Sequence, residues 1–187
     1  MPYFIVFLPL IGAILGYSLK SLGDKYTEVI TTTFLIISAV FSIIIFYNGI
    51  FYGDYANYKI IEWINSGNLK IDWSINIDPL SSIMLVVVTS ISSLVHLYSI
   101  GYMSHDPNKP RFMAYLSLFT FAMLMLVVSD NFLQLFFGWE GVGLCSYLLI
   151  GFWFKKNSAN EAAIKAFLVN RVGDFGLAIG IFLIFNY

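Results

Sequence analysis

Glu140 sits within the run Phe136-Phe137-Gly138-Trp139-Glu140-Gly141-Val142-Gly143-Leu144-Cys145-Ser146-Tyr147. The apolar segment around it extends from about Phe132 to Phe154, long enough to cross a bilayer. At ~1.5 Å per residue, Glu140 lies roughly 12 Å from its start. An acid facing lipid at that depth costs on the order of 2.5–3.5 kcal/mol or more, so the carboxyl must face protein or water. Such a group can take up and release protons along an ion path, or it can tie helices together as a buried, hydrogen-bonded acid. Further on, Asn170-Arg171-Val172-Gly173-Asp174 places a cation and an acid at i, i+3 on one helix face. Counted from Ala162, Arg171 is about 14 Å and Asp174 about 18 Å into its own apolar segment, nearly the depth of Glu140 in a ~30 Å core. They are placed to pair, and both an ion pair holding helices and a role in transport fit that spacing. Lys165 follows Glu161 by four residues, the spacing of a helix-surface pair or a snorkelling side chain. His96, with Ser92, Ser93 and Ser99 nearby, reads as hydrogen-bonded structure rather than a proton relay.

Those residues need a membrane to make sense. Apolar residues are 59% of the 187 and charged ones 11%, against roughly 45–50% and 25% in soluble domains. Mean hydropathy is +0.80. A net charge of −1 offers no basic excess for nucleic acid, which is excluded as a partner. The single cysteine, Cys145, can form neither an intrachain disulfide nor a cysteine metal cluster. Met1-Pro2-Tyr3-Phe4-Ile5-Val6-Phe7-Leu8 lacks a basic leading region and reads as a retained membrane helix. No Gly-x-Gly-x-x-Gly turn, phosphate loop or haem-ligating histidine pair is present, so no redox or nucleotide site and no cofactor are expected.

Six spans can be drawn, at about Pro2–Leu19, Val29–Phe51, Pro79–Met103, Phe112–Val128, Phe132–Phe154 and Ala162–Tyr187. Asp78-Pro79 reads as an N-cap followed by proline at the first helical position. Asp130-Asn131 can cap the fifth helix after a tight turn, and Ser158-Ala159-Asn160-Glu161 has capping-box spacing for the sixth. Lys20, Lys25, Lys109, Arg111, Lys155 and Lys156 fall in one set of loops, and only Lys59 and Lys70 in the other. The positive-inside rule makes the first set cytoplasmic and puts the N-terminus and residues 54–78 outside. Leu69 to Asp78 alternates apolar and polar, Tyr58-Lys59-Ile60-Ile61-Glu62-Trp63-Ile64 is rich in strand formers, and Asn65-Ser66-Gly67-Asn68 is turn chemistry. A β-hairpin outside the membrane follows, and two strands cannot bury an apolar face alone, so it must rest on a helix or another subunit. The expected fold is an all-α polytopic membrane protein of about six transmembrane helices with one extramembrane hairpin. Its organisation is two spans in 1–53, the hairpin in 54–78, and spans three to six in 79–187. The glycines Gly138, Gly141, Gly143, Gly173, Gly176 and Gly180 are expected to let helices approach closely.

The run from Asp130 through Phe152, with Lys165-Ala166-Phe167, Arg171-Val172-Gly173-Asp174 and Ile77-Asp78-Pro79-Leu80, closely resembles the antiporter-like subunit L of respiratory complex I, called subunit 5 in mitochondria. The large Mrp-type Na⁺/H⁺ antiporter subunit is similar in architecture. The resemblance implies a cofactor-free subunit of a proton-translocating NADH:quinone oxidoreductase, in a bacterial inner membrane or else the mitochondrial one. It would be surrounded by lipid and by the complex's other membrane subunits. It implies that Glu140 is a switchable acid whose family counterpart pairs with a lysine on a seventh helix, that Arg171 and Asp174 tune or orient it, and that Lys165 belongs to the same proton path. The last three spans would open one of the family's two five-helix repeats. Three readings follow: part of the complex I proton path, an Mrp-type antiporter, or a non-conducting structural fragment. With only the first spans of a repeat, the 187 residues alone are expected to move no protons.

Overall fold

The computed structural model describes residues 1–19, 23–67 and 69–186. Among these there are six helices and one two-stranded sheet: α1 (Pro2–Ser18), α2 (Asp24–Tyr52), β1 (Ala56–Ser66), β2 (Leu69–Ile77), α3 (Pro79–Tyr102), α4 (Lys109–Val127), α5 (Phe132–Ile150) and α6 (Asn157–Asn186). Five helices are long and apolar enough to cross a membrane; α1 has 17 residues, about 25 Å, and lies against α2 and α4. The expected membrane fold is the observed one. The bundle is built in sequence order, α2 on α3, α4 on α5 and α5 on α6, with α1 and α4 closing its centre.

Local chemistry sets most boundaries. Asp78 caps α3: its Oδ1 accepts the Ser81 backbone N–H at 2.6 Å, while Ser81 Oγ accepts that of Asp78 at 2.8 Å. Asn131, not Asp130, caps α5 by accepting the Gln134 N–H at 2.8 Å. Gly53 ends α2 at φ +66°, a left-handed conformation open to glycine, and turns the chain into the hairpin. The sixth helix departs from expectation. It starts at Asn157, so Ser158 lies inside it rather than capping it, because the N–H groups of Ala159 and Asn160 already reach the Lys156 carbonyl. The fifth helix ends at Ile150 instead of running to Phe154, since turns carry the chain from Gly151 to Lys155. Lys20, Asn68 and Tyr187 lie outside the described residues.

The hairpin rests on the helix ends of its own chain. Ile75 and Ile77 of β2 are buried with Ile5, Val6, Leu85, Leu124 and Val128, while most of β1 is exposed. Polar contacts lock the same strand to the α4–α5 turn. Ser74 N–H donates to Gln134 Oε1 at 3.1 Å, Gln134 Nε2 donates to the Ser74 carbonyl at 2.7 Å, and Ser74 Oγ donates to Asp130 Oδ2 at 3.1 Å. Asn131 Nδ2 donates to the Asp72 carbonyl at 2.9 Å. On β1, Lys59 reaches Asp72 at 2.8 Å, and that hydrogen bond holds Lys59 above the usual lysine range. Gln134 is fully buried, so Gln134→Leu strands both backbone groups of Ser74. At about 1–3 kcal/mol for each buried group left unsatisfied, the hairpin should loosen from the bundle. The check is limited proteolysis between Asp54 and Asp78, which should speed up in the variant with the helices still inserted.

At the other end of the bundle, Lys109 is not a solvated loop cation. It is buried and pairs with Glu28 at 2.6 Å, tying α4 to α2. The hairpin, the chain start and Asp130 share one side, and Lys25, Lys109, Arg111, Lys155 and Lys156 lie toward the other. Of the glycines expected to admit close packing, Gly138 makes the tightest approach: a Cβ there would fall 2.7 Å from the Leu126 backbone on α4, with Gly141 3.2 Å from Ala122 Cβ beside it. Gly143 on α5 and Gly173, Gly176 and Gly180 on α6 face no described neighbour; α6 packs chiefly on α5. For these four the expectation of close helix approach does not hold among the described residues.

Candidate functional site

The Gly138 contact seats α5 against α4, and Cys145 is buried on the same helix, which turns Trp139 and Glu140 toward α6. There Arg171 Nη1 pairs with Glu140 Oε2. The same nitrogen lies 3.4 Å from Asp174 Oδ2, and Trp139 Nε1 donates to Asp174 Oδ1 at 2.7 Å. One guanidinium therefore stands between two carboxylates from two helices, with an indole N–H holding the second acid in place. The Glu140 side chain is 24% exposed, Arg171 39% and Asp174 10%. Among the described residues the cluster is therefore partly enclosed, Asp174 most of all.

Below the guanidinium, its central carbon lies 4.4 Å from the Phe167 ring, and Phe167 meets Tyr147 at 5.4 Å. An aromatic face favours a cation at that distance and keeps the Arg171 side chain extended toward Glu140. Sequence reasoning placed Glu140, Arg171 and Asp174 at similar depth and paired the last two; the structure brings all three together. It missed Trp139 and Phe167. Trp139 adjoins the acid in sequence and, although half exposed, carries an indole N–H donor next to it, which was the available signal. Lys165 is not brought in: it is exposed on α6, and among the described residues no ion pair joins it to Glu161.

His96 belongs to a different seam. Its ring is fully buried, with Nδ1 at 2.9 Å from the Ser92 carbonyl and Nε2 at 3.0 Å from Ser117 Oγ. A carbonyl only accepts, so Nδ1 carries the proton and Nε2 is left to accept from the hydroxyl. Ser92 with Thr120 at 2.6 Å and Ser42 with Thr89 at 2.7 Å continue the seam across α2, α3 and α4. Both ring nitrogens are occupied within the protein, as a structural histidine requires.

Two family models match the chain. Residues 63–113 match the one described as NADH-ubiquinone oxidoreductase (complex I) chain 5 N-terminus, and residues 129–187 the one described as NADH:quinone oxidoreductase/Mrp antiporter transmembrane region. NADH-quinone oxidoreductase subunit L of Rickettsia bellii is 54% identical over 184 residues, 98% of this chain. The chain belongs to the subunit L/chain 5 family. NADH-ubiquinone oxidoreductase chain 5 of Triticum aestivum, 58% identical over 179 residues, connects the mitochondrial members to the same family. The chain spans 29% of the Rickettsia protein and 27% of the wheat one. Among solved structures, an archaeal respiratory membrane complex, the membrane-bound sulfane sulfur reductase, has a chain that superposes on 99% of these residues. The TM-score is 0.81 at 18% identity, with 37% of that chain covered, and this likeness shows the fold alone. The second family model reaches from the α4–α5 turn through α6, so the whole Glu140–Arg171–Asp174 cluster falls inside the residues it matches.

Proposed function

We propose that these residues form part of a proton path in the membrane arm of a proton-translocating NADH:quinone oxidoreductase, in a bacterial inner membrane or the mitochondrial one. Redox chemistry takes place on other subunits, and this chain moves charge in response. The observation that carries the reading is the single guanidinium shared by Glu140 and Asp174. A carboxylate at mid-membrane depth can gain or lose a proton at modest cost only where a nearby cation compensates the charged form. Arg171 is that cation, and because it also touches Asp174 its position can shift between two acids. When it leans to Asp174, Glu140 loses its counter-charge and takes up a proton; when it returns, the proton is released. Lys165, about 9 Å along α6 from Arg171, is the next titratable group toward the cytoplasmic side and is assigned to the same path.

An Mrp-type Na⁺/H⁺ antiporter is the second reading, supported by the family model that names both groups. The complex I reading has the additional support of the chain 5 model over residues 63–113. Isolation through a tag on this chain separates them. An assembly that oxidises NADH with quinone is expected, whereas recovery with cation antiporter subunits and no such activity would favour Mrp. The direction of the path depends on topology. A cysteine at Asn157, beside Lys155 and Lys156, should be labelled only by reagents reaching the cytoplasmic or matrix side. Labelling from the opposite side would invert the bundle and carry the hairpin with it.

A further inference from the structure

Among the described residues, Arg111 has no carboxylate in an ion pair with it. Among the described residues, the other enclosed cations have acids: Lys109 has Glu28, and Arg171 has Glu140 and Asp174. Lys25, Lys70, Lys155, Lys156 and Lys165 are exposed to solvent or lipid surface. Arg111 is half-buried two residues into α4. Its Nη2 donates to the Phe152 carbonyl at 3.0 Å, and its guanidinium lies 4.7 Å from the Phe152 ring and 5.1 Å from Phe154. Its Nε is enclosed and meets no acceptor among the described residues. A buried donor of a charged group without a partner costs more than a neutral one, so the site favours an anion.

A cavity of about 430 Å³ opens beside this guanidinium, between α4, α5 and α6. Tyr115, Tyr147 and Asn160 bring hydroxyl and amide groups to it, and Leu148, Ala163 and Ile164 make its remaining wall apolar. The volume lies within the ~300–1,000 Å³ of ligand pockets. The cavity sits at the basic end of the bundle, where Lys155 and Lys156 add positive charge near the bilayer surface. A guanidinium fork matches the oxygens of a phosphate, and basic pockets between transmembrane helices on the cytoplasmic or matrix side suit anionic headgroups.

We propose that the Arg111 cavity binds the headgroup phosphate of an anionic phospholipid, whose acyl chains continue along the apolar wall formed by Leu148 and Ile164. The phosphate satisfies the guanidinium, and Tyr115, Tyr147 and Asn160 supply further hydrogen bonds. This site is separate from the Glu140 cluster and holds whether or not that cluster carries protons.

The test uses the assembled complex in bilayer discs of equal phosphatidylglycerol and phosphatidylcholine, with a photoreactive benzoylphenylalanine replacing Phe154. With Arg111 present, phosphatidylglycerol adducts should exceed phosphatidylcholine adducts several-fold, and excess inorganic phosphate should leave them unchanged. Arg111→Gln should bring the two lipids to parity, and Arg111→Lys should keep part of the preference. If Arg111→Gln does not assemble, the lipid preference of the Arg111 protein decides by itself. Equal adducts with Arg111 present would overturn the proposal. So would their loss on adding phosphate, which would assign the site to a free anion, or an adduct to an acidic protein segment, which would assign it to a protein partner.

Discussion

Glu140→Gln should leave the complex assembled and oxidising NADH while proton pumping per electron falls roughly tenfold or more, as expected when a group that must gain and lose a proton cannot do so. Glutamine keeps the length of the side chain, and its carbonyl oxygen can still accept from Arg171 Nη1, so the α5–α6 contact survives. What disappears is the titratable site. The measurement is proton uptake by membrane vesicles during quinone reduction, with assembly checked on native gels. Full pumping in assembled Glu140→Gln protein would remove the acid from the path and leave it as a strut between helices. A loss of pumping that merely tracks a loss of assembly would point the same way.

Arg171→Met should damage assembly more than any other single change in the cluster. It leaves two carboxylates, Glu140 and Asp174, facing each other without a cation. Breaking a fully buried pair costs about 3–5 kcal/mol. With the Arg171 side chain 39% exposed, solvent screening reduces this to roughly 1–3 kcal/mol. Asp174→Leu alone should be milder, because Arg171 keeps Glu140, although the Trp139 N–H loses its acceptor. Combining Arg171→Met with Asp174→Leu and Glu140→Gln removes all three charges and should recover part of the assembly lost in Arg171→Met. Assembly scored across this set gives the coupling directly. Strictly additive losses would show that the three groups act independently.

The sequence carried much of this site because charge in a membrane is expensive and therefore conspicuous. Glu140 stood out among apolar neighbours, and Arg171 and Asp174 could be paired from i, i+3 spacing alone. The shared guanidinium could not be foreseen, because it depends on how α6 is rotated against α5. Gly138 on Leu126 seats α5 on α4, and Gly151 near Ala163 Cβ at 3.3 Å brings α6 up to the end of α5, while Gly143, Gly173, Gly176 and Gly180 looked the same in sequence and face nothing described. The hairpin was legible from its alternation, but its seat was not. Gln134 reads as one polar residue in an apolar helix, and only the fold shows that it serves as an extra pairing partner for β2. Lys109 misled in the opposite sense: a lysine beside a proline reads as loop surface, yet Glu28 from a helix far back in the chain encloses it.

The fastening of β2 by Gln134 also has a consequence for the order of synthesis. Ser74 and Gln134 are separated by 60 residues, so the strand leaves the ribosome well before its anchor exists. At about 5–20 residues per second, the wait is roughly 3–12 s. Throughout that interval Ile75 and Ile77 have no α4–α5 turn to cover them. Anything that slows insertion of α5 lengthens the time this strand is open to mispairing. The vulnerable moment for this bundle therefore comes during its biogenesis, at the hairpin and far from the Glu140–Arg171–Asp174 cluster.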